Sequence, residues 1–195
     1  MERGCSTNTS RIVIRGAGGR EFALRTYNPV CHEEPTAAWS ADGAQLIFVD
    51  NISSPKVDNV LDCSLAVASS RHASSPSAFR FVAPDTGCYF RSAAFDTDGI
   101  AAIEICGPAQ TGGLTRLLQL NHHRQVTERL DLAPGQPGVL YDDEDVNVVN
   151  DPLANTVLVS QVLYAAHPES TRIWTFDGTH LLLIRRFNTP LVAEP

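Results

Sequence analysis

Five cysteines (Cys5, Cys31, Cys63, Cys88, Cys106), six histidines and an acidic run at 142–145 are the groups in this 195-residue chain that could do chemistry. No two cysteines have the CxxC spacing that starts a structural zinc site. His32-Glu33-Glu34-Pro35-Thr36 opens like the zinc-protease motif HExxH. That motif needs a second histidine one helical turn on, but Thr36 holds the place and Pro35 opposes the helix. There is no G-x-S-x-G, so a hydrolase nucleophile elbow is missing. Gly16-Ala17-Gly18-Gly19 lacks a third spaced glycine and a following helix, and reads as a hairpin turn rather than a phosphate loop. His122 and His123 are adjacent, point apart on an extended chain, and read as turn residues.

Two acidic features remain. Asp142-Asp143-Glu144-Asp145, followed by Asn147, Asn150 and Asp151, is the densest set of oxygen donors and the one place that could attract calcium. No glycine sits at the sixth position, as an EF-hand requires, so the run reads as a solvated loop leading into a strand. Glu104 interrupts the apolar run Ile100 to Ile105. It is expected to face a polar sheet edge, the alternative being an inward carboxylate on a neighbouring arginine. On this reading no catalytic residue, cofactor site or metal site is assigned.

The elements that must carry these residues are strands. Apolar residues at helical spacing are nearly absent, and 13 glycines and 12 prolines punctuate short apolar or alternating runs. The chain reads as all-β. Three hairpins share one register. AWSADGAQLIFVD (38–50) turns at Asp42-Gly43, AFDTDGIAAIEIC (94–106) turns at Asp98-Gly99, and VVNDPLANTVLVSQV (148–162) turns at Asn155. Gly43, Gly99 and Asn155 are spaced by 56 residues, and asparagine is the non-glycine residue that best tolerates a left-handed turn. Four residues past each turn stands a β-branched side chain, Ile47, Ile103 or Val159. A second hairpin type, at 11–27 and 172–187 with looser versions at 64–82 and 115–132, fills the intervals.

A repeat of 50 to 57 residues with about four strands per copy points to a β-propeller, in which four-stranded blades pack around a channel. Ala38-Trp39-Ser40-Ala41-Asp42-Gly43 followed by Leu46-Ile47-Phe48-Val49 resembles the TolB-type WD-like repeat of six-bladed propellers. Ala41 stands where that repeat has proline, and the third copy lacks the Asp-Gly pair. The resemblance implies architecture more than activity, because propellers host binding, enzymatic and scaffolding roles alike.

Laid out as blades, the strands group as 20–27, 35–41, 44–50 and 64–69, then 78–83, 88–95, 100–106 and 114–120, then 124–132, 144–150, 156–163 and 171–176. The second hairpin type is then expected to cross from one blade to the next. Strands at 11–15 and 179–187 flank these three blades. Residues 1–10 are expected to be disordered and 11–190 to form the repeat domain. Three blades and two strands fall short of the four to eight of closed propellers. The open edges call for a missing chain segment, a second copy, or an irregular ring.

The same layout brings Cys88 near Cys106 across the Asp98-Gly99 hairpin, and places Cys31 and Cys63 at similar points one blade earlier. Both pairs, 88–106 and 31–63, could therefore reach disulfide geometry and are candidate disulfides, with buried free thiols as the alternative and Cys5 left over. Pairing would imply an oxidising, extracytoplasmic compartment. Asn8-Thr9-Ser10 and Asn51-Ile52-Ser53 match the glycosylation sequon but decide nothing.

With 43% apolar residues, 19% charged and a net charge of −7, the chain suits one folded domain. Its fifteen basic residues, Lys56 the only lysine, are scattered among 22 acids, which argues against nucleic acid. No apolar run reaches membrane length, and the opening MERGCSTNTS carries no secretory h-region. The expected role is a non-enzymatic propeller module that binds a protein or ligand through loops at one face, needing no cofactor. Tyr27, Trp39, Tyr89 and Tyr141 are candidate contacts, with Trp39 more in keeping with a blade core. An accessory propeller of a larger hydrolase or lyase and a carbohydrate-binding propeller are the alternatives.

Overall fold

The structure, a computed structural model, describes residues 10–15, 21–27, 37–51, 63–69, 80–107, 114–133, 144–151, 156–163 and 170–187. They form fourteen strands and, among the described residues, no helix. In chain order these are β1 (Ser10–Arg15), β2 (Glu21–Tyr27), β3 (Ala37–Trp39), β4 (Gln45–Asn51), β5 (Cys63–Ser69), β6 (Arg80–Val82) and β7 (Cys88–Phe95). There follow β8 (Gly99–Cys106), β9 (Leu114–Asn121), β10 (Val126–Ala133), β11 (Glu144–Asp151), β12 (Thr156–Leu163), β13 (Ser170–Phe176) and β14 (Leu181–Phe187). Each lies within two residues of its expected position.

Their grouping differs from expectation by one strand. Three four-stranded antiparallel sheets run β3–β6, β7–β10 and β11–β14, and β1 pairs with β2 in a separate hairpin. The expected blades took the β9–β10 and β13–β14 hairpins as crossings between sheets. Both turns are closed by backbone hydrogen bonds instead. The Arg124 N–H donates to the Asn121 carbonyl at 2.7 Å, the Asn121 N–H to the Gln125 carbonyl at 3.0 Å, and the Asp177 N–H to the His180 carbonyl at 3.3 Å. A turn that short holds both strands in one ladder, so the chain changes sheet elsewhere, as at residues 83–87. The strand at 179–187, expected as an orphan, completes the last sheet, and the strand at 11–15 pairs with β2.

The sheet β7–β10 is covered on both faces. Ala93, Phe95, Ile100, Ala102, Leu118 and Leu120 pack against Ile47, Leu65 and Val67 of the sheet before it. Ala94, Ala101, Ile103, Ile105 and Leu117, the alternate residues, pack against Val146, Val148, Val157, Val159 and Phe176 of the sheet after it. This is why GIAAIEIC reads as a continuous apolar run rather than an alternating one. Ile47, Ile103 and Val159 are each fully buried, so the 56-residue register marks equivalent core positions. Each contributes roughly 1.5–3 kcal/mol of burial.

β7 is the strand shared by these contacts, packing on β3, β4 and β5 on one side and on β11 on the other. Its register with β8 shifts between Phe90 and Ser92, which makes a bulge at Arg91. Ser92, fully buried, then accepts the Val148 backbone N–H at 3.1 Å. Away from this centre the surface is less covered, and Leu182, Leu183 and Ile184 of the edge strand β14 are exposed.

The turn glycines Gly43 and Gly99 serve different needs. Gly43, at φ 65°, has open space where a side chain would stand. At Gly99, with φ 149°, a Cβ would fall 2.0 Å from the Leu120 carbonyl oxygen in the neighbouring strand. Gly99→Ala is expected to cost about 3 kcal/mol or more, whereas Gly43→Asn should cost under about 1 kcal/mol. Urea unfolding of the two variants checks this, and equal losses would refute the distinction.

Candidate functional site

One end of the sheets carries a cleft of about 440 Å³ built from three turns. The β3–β4 turn supplies Ser40 and Asp42, the β7–β8 turn supplies Asp96 and Thr97, and the β9–β10 turn supplies His122 and Arg124, over apolar residues Val67, Phe95 and Ile100. The volume lies within the range of small-ligand sites, and the mix of apolar floor and few polar groups is of the same kind.

Each aspartate caps its own turn. The Asp42 carboxylate accepts the Ser40 hydroxyl at 2.6 Å and the Ala44 N–H at 2.9 Å, and the Ser40 bond chiefly holds its pKa below the usual carboxylate value. Asp96 accepts the N–H groups of Asp98 and Gly99 at 2.9 and 2.6 Å and the Gln119 side-chain amide at 3.2 Å, all through Oδ1. Its other oxygen, Oδ2, is buried without a partner. Burial therefore outweighs these bonds and pushes the Asp96 pKa up. Asp177, in the β13–β14 turn, accepts similar N–H bonds from Thr179 and His180 in solvent, and those bonds bring its pKa down to about 2. The same local motif titrates in opposite directions because only Asp96 is desolvated.

Arg124 is the anomaly of the cleft. It is the one non-glycine among the described residues with positive φ, at 64°. The β9–β10 turn needs a left-handed residue at this point, which glycine or asparagine ordinarily supplies. Among the described residues the Arg124 guanidinium has no hydrogen-bond or ion-pair partner. Neighbouring Asn121 holds the turn by accepting the His123 and Gln125 N–H groups at 2.9 and 3.0 Å.

At the opposite end of the same sheet, Cys88 and Cys106 face each other in the β7–β8 register and are joined as a disulfide, with Cα atoms 3.9 Å apart. Glu104 does not face a polar edge. It is 1% exposed, the β8 partner of Arg116 in β9, with its Oε2 3.5 Å from the Arg116 Nη1. Its Oε1 accepts the Asp85 backbone N–H at 2.9 Å. The inward alternative is the observed one, since position 104 repeats the buried position of Phe48 and a cation stands directly across the ladder. Arg129 forks onto both carboxylate oxygens of Asp85, a contact that draws the Asp85 pKa down, and Arg116 also reaches Asp85 and Asp131 at 3.5 and 3.8 Å. Cys88, Glu104 and Cys106 lie within 4.8 Å of one another, but the two sulfurs are spent on each other.

The remaining sequence candidates divide. Asp42 and Gly43 lie in the β3–β4 turn, Asp98 lies in the β7–β8 turn, and Gly99 is the first residue of β8. Trp39 is 41% exposed and so is not a core residue, because β3 is only three residues long and its side chain lies at an uncovered position. Tyr89 is half-buried against the second apolar cluster. His122 lines the cleft and His123 is exposed, both within the turn. Asn147, Asn150 and Asp151 belong to β11 itself. Cys5, Cys31, Asn155, Tyr141, Asp142 and Asp143, the 16–19 and 32–36 motifs, the sequon at Asn8 and most of residues 1–10 lie outside the described residues, as do the side chains of Cys63, Tyr27 and Asn51. No described helix is long and apolar enough to cross a membrane. Arg124 went unmarked in the sequence; the signal was a short Asn121-His122-His123-Arg124 turn containing no glycine.

No protein-family model and no curated protein matches this chain. Among solved structures it is similar to a thermostable family-43 glycoside hydrolase, with a TM-score of 0.38 and 8% identity over 93% of this chain and 72% of that one. A likeness that shallow has no bearing on activity, and the reading of the site stands on its own geometry.

Because burial raises the folded-state pKa of Asp96, the folded protein holds that proton more tightly than the unfolded chain does. Its contribution to stability is greatest in acid and is lost as pH rises through the raised value. Asp96→Asn keeps an oxygen for the capped N–H groups and removes the charge. It should raise the melting temperature at pH 7, with the gain shrinking towards pH 4. Melting curves across that range check this, and a deficit that grows with pH would contradict it.

Proposed function

We propose that this chain is a β-propeller-type binding module, of the kind the TolB-type repeat represents, whose turn-lined cleft takes a short acidic peptide segment of a partner protein. The observation that carries the reading is Arg124, whose guanidinium has no partner among the described residues at a cleft of ligand size while its backbone holds a conformation that costs roughly 1–3 kcal/mol. A residue that breaks the local turn rule without repayment inside the fold is a candidate for repayment by a ligand. Arginine suits a carboxylate, which it can grip with two parallel N–H bonds. Asp42, Thr97 and Ser40 add acceptors and hydroxyls for a peptide backbone, and Phe95 and Ile100 supply the apolar floor. The three four-stranded sheets and the 56-residue equivalence of Ile47, Ile103 and Val159 support the propeller-type reading.

Panning a displayed peptide library against the wild-type chain should enrich Asp- and Glu-containing sequences. Arg124→Asn should bind those peptides at least tenfold more weakly, since a bidentate charged contact is worth about 1.5–3 kcal/mol. The same variant should be more stable than wild type by about 1 kcal/mol, because asparagine accepts the left-handed turn. Binding lost with stability gained is the signature of a residue held for function. No enrichment, or equal binding by Arg124→Asn, would refute the reading, and hits on a glycan array alone would replace it with the carbohydrate alternative.

A further inference from the structure

We propose that Cys88–Cys106 is a redox-active pair that exchanges electrons with an external dithiol, the Cys106 thiolate being held by Arg116. This activity is independent of the cleft, which lies at the other end of strands eight residues long.

The surroundings of the disulfide are those of an ionising thiol rather than of an inert cross-link. The Arg116 Nη1 stands 3.5 Å from the Cys106 sulfur, and a cation at that distance favours thiolate over thiol. The Glu104 Oε2 stands 3.6 Å from the same sulfur, in a side chain 1% exposed. Its Oε1 accepts the Asp85 N–H and its Oε2 faces Arg116, so the carboxylate is held in place beside the sulfur. Its charge opposes that of Arg116 at the sulfur, so the two set the thiol's acidity between them. Asp85, Arg129 and Asp131 are further charged groups at this corner, with Arg129 committed to Asp85.

Access and re-formation also fit. Cys106 is partly exposed while Cys88 is 5% exposed, so Cys106 is the cysteine of the pair nearer to solvent and the one an incoming thiolate is taken to attack. The β7–β8 ladder runs from the Cys88–Cys106 pair to the Phe95–Ile100 pair, so it keeps the two cysteines opposed after the bond opens. In the forward step a thiolate of the dithiol attacks the Cys106 sulfur. A mixed disulfide forms, the Cys88–Cys106 bond breaks, and Cys88 leaves as a thiolate that takes up a proton. The second sulfur of the dithiol, deprotonated, then attacks the first and releases the Cys106 thiolate beside Arg116. The dithiol is oxidised to its cyclic disulfide by two electrons, the pair is reduced by two, and the dithiol's two protons pass to the cysteines or to solvent.

The test uses the full chain under native conditions. Millimolar dithiothreitol should reduce Cys88–Cys106 within minutes, read by alkylation and peptide mass, with the far-ultraviolet circular dichroism unchanged. In the reduced protein, Arg116→Met should slow Cys106 alkylation at pH 7 by roughly tenfold and Glu104→Gln should speed it several-fold. Arg116→Lys, which keeps the charge, should stay near the wild-type rate and so separates a lost charge from a disturbed fold. Reduction that requires denaturant, Arg116→Met and Glu104→Gln rates that do not diverge, or Arg116→Lys as slow as Arg116→Met would each overturn the proposal.

Discussion

β11 is the first strand of its sheet, so one of its edges has no neighbouring strand, and the backbone N–H of Val148 on that edge must find an acceptor inside the core. Ser92 supplies it, and can do so because the bulge at Arg91 resets the register of β7 at that point. An unsatisfied buried N–H would cost roughly 1–3 kcal/mol, so this contact ties the sheet β7–β10 to the sheet β11–β14 at a defined height. With the heights tied, Ile103 meets Val148 and Val159 in one apolar cluster, and Ile47 joins the other cluster on the far face of β7.

A sheet buried on both faces can show its chemistry only at its two ends, and here the ends differ. At the turn end, three loops meet over an apolar floor, and the departures from local rules are the left-handed Arg124 and the half-desolvated Asp96. At the other end the departure is a fully buried glutamate beside a disulfide and an arginine. The strands between them, about eight residues at 3.3 Å each, are too long for direct electrostatic coupling through a screened surface. The two ends are thus free to carry unrelated tasks on one rigid sheet.

Strands and turns were legible because their signals are local. The alternation in β12, the apolar runs in β4 and β8, and the Asp-Gly pairs each act over a few residues, and all fourteen strands follow from them. The pairing of Cys88 with Cys106 was legible for the same reason, since a two-strand register can be counted outward from Asp98-Gly99. The division into sheets was not. A repeat of 56 residues looks the same wherever the cut is made, and only the closed turns at Asn121 and Asp177 show which strands share a ladder.

The amino-acid pattern alone therefore pointed to an all-β chain of repeated hairpins with its turn residues, because backbone conformational preference and side-chain alternation need no distant partner; it left Cys88–Cys106 as one of two pairings open beside free thiols, and the structure shows that bond. Tertiary packing decided that Glu104 is buried against Arg116, that Trp39 is exposed, that Asp96 and Asp177 titrate in opposite directions, and that Arg124 stands at a cleft without a partner among the described residues. Each of those depends on what lies across a sheet or between sheets, and desolvation and pairing are properties of that surrounding matter, not of the residue that feels them.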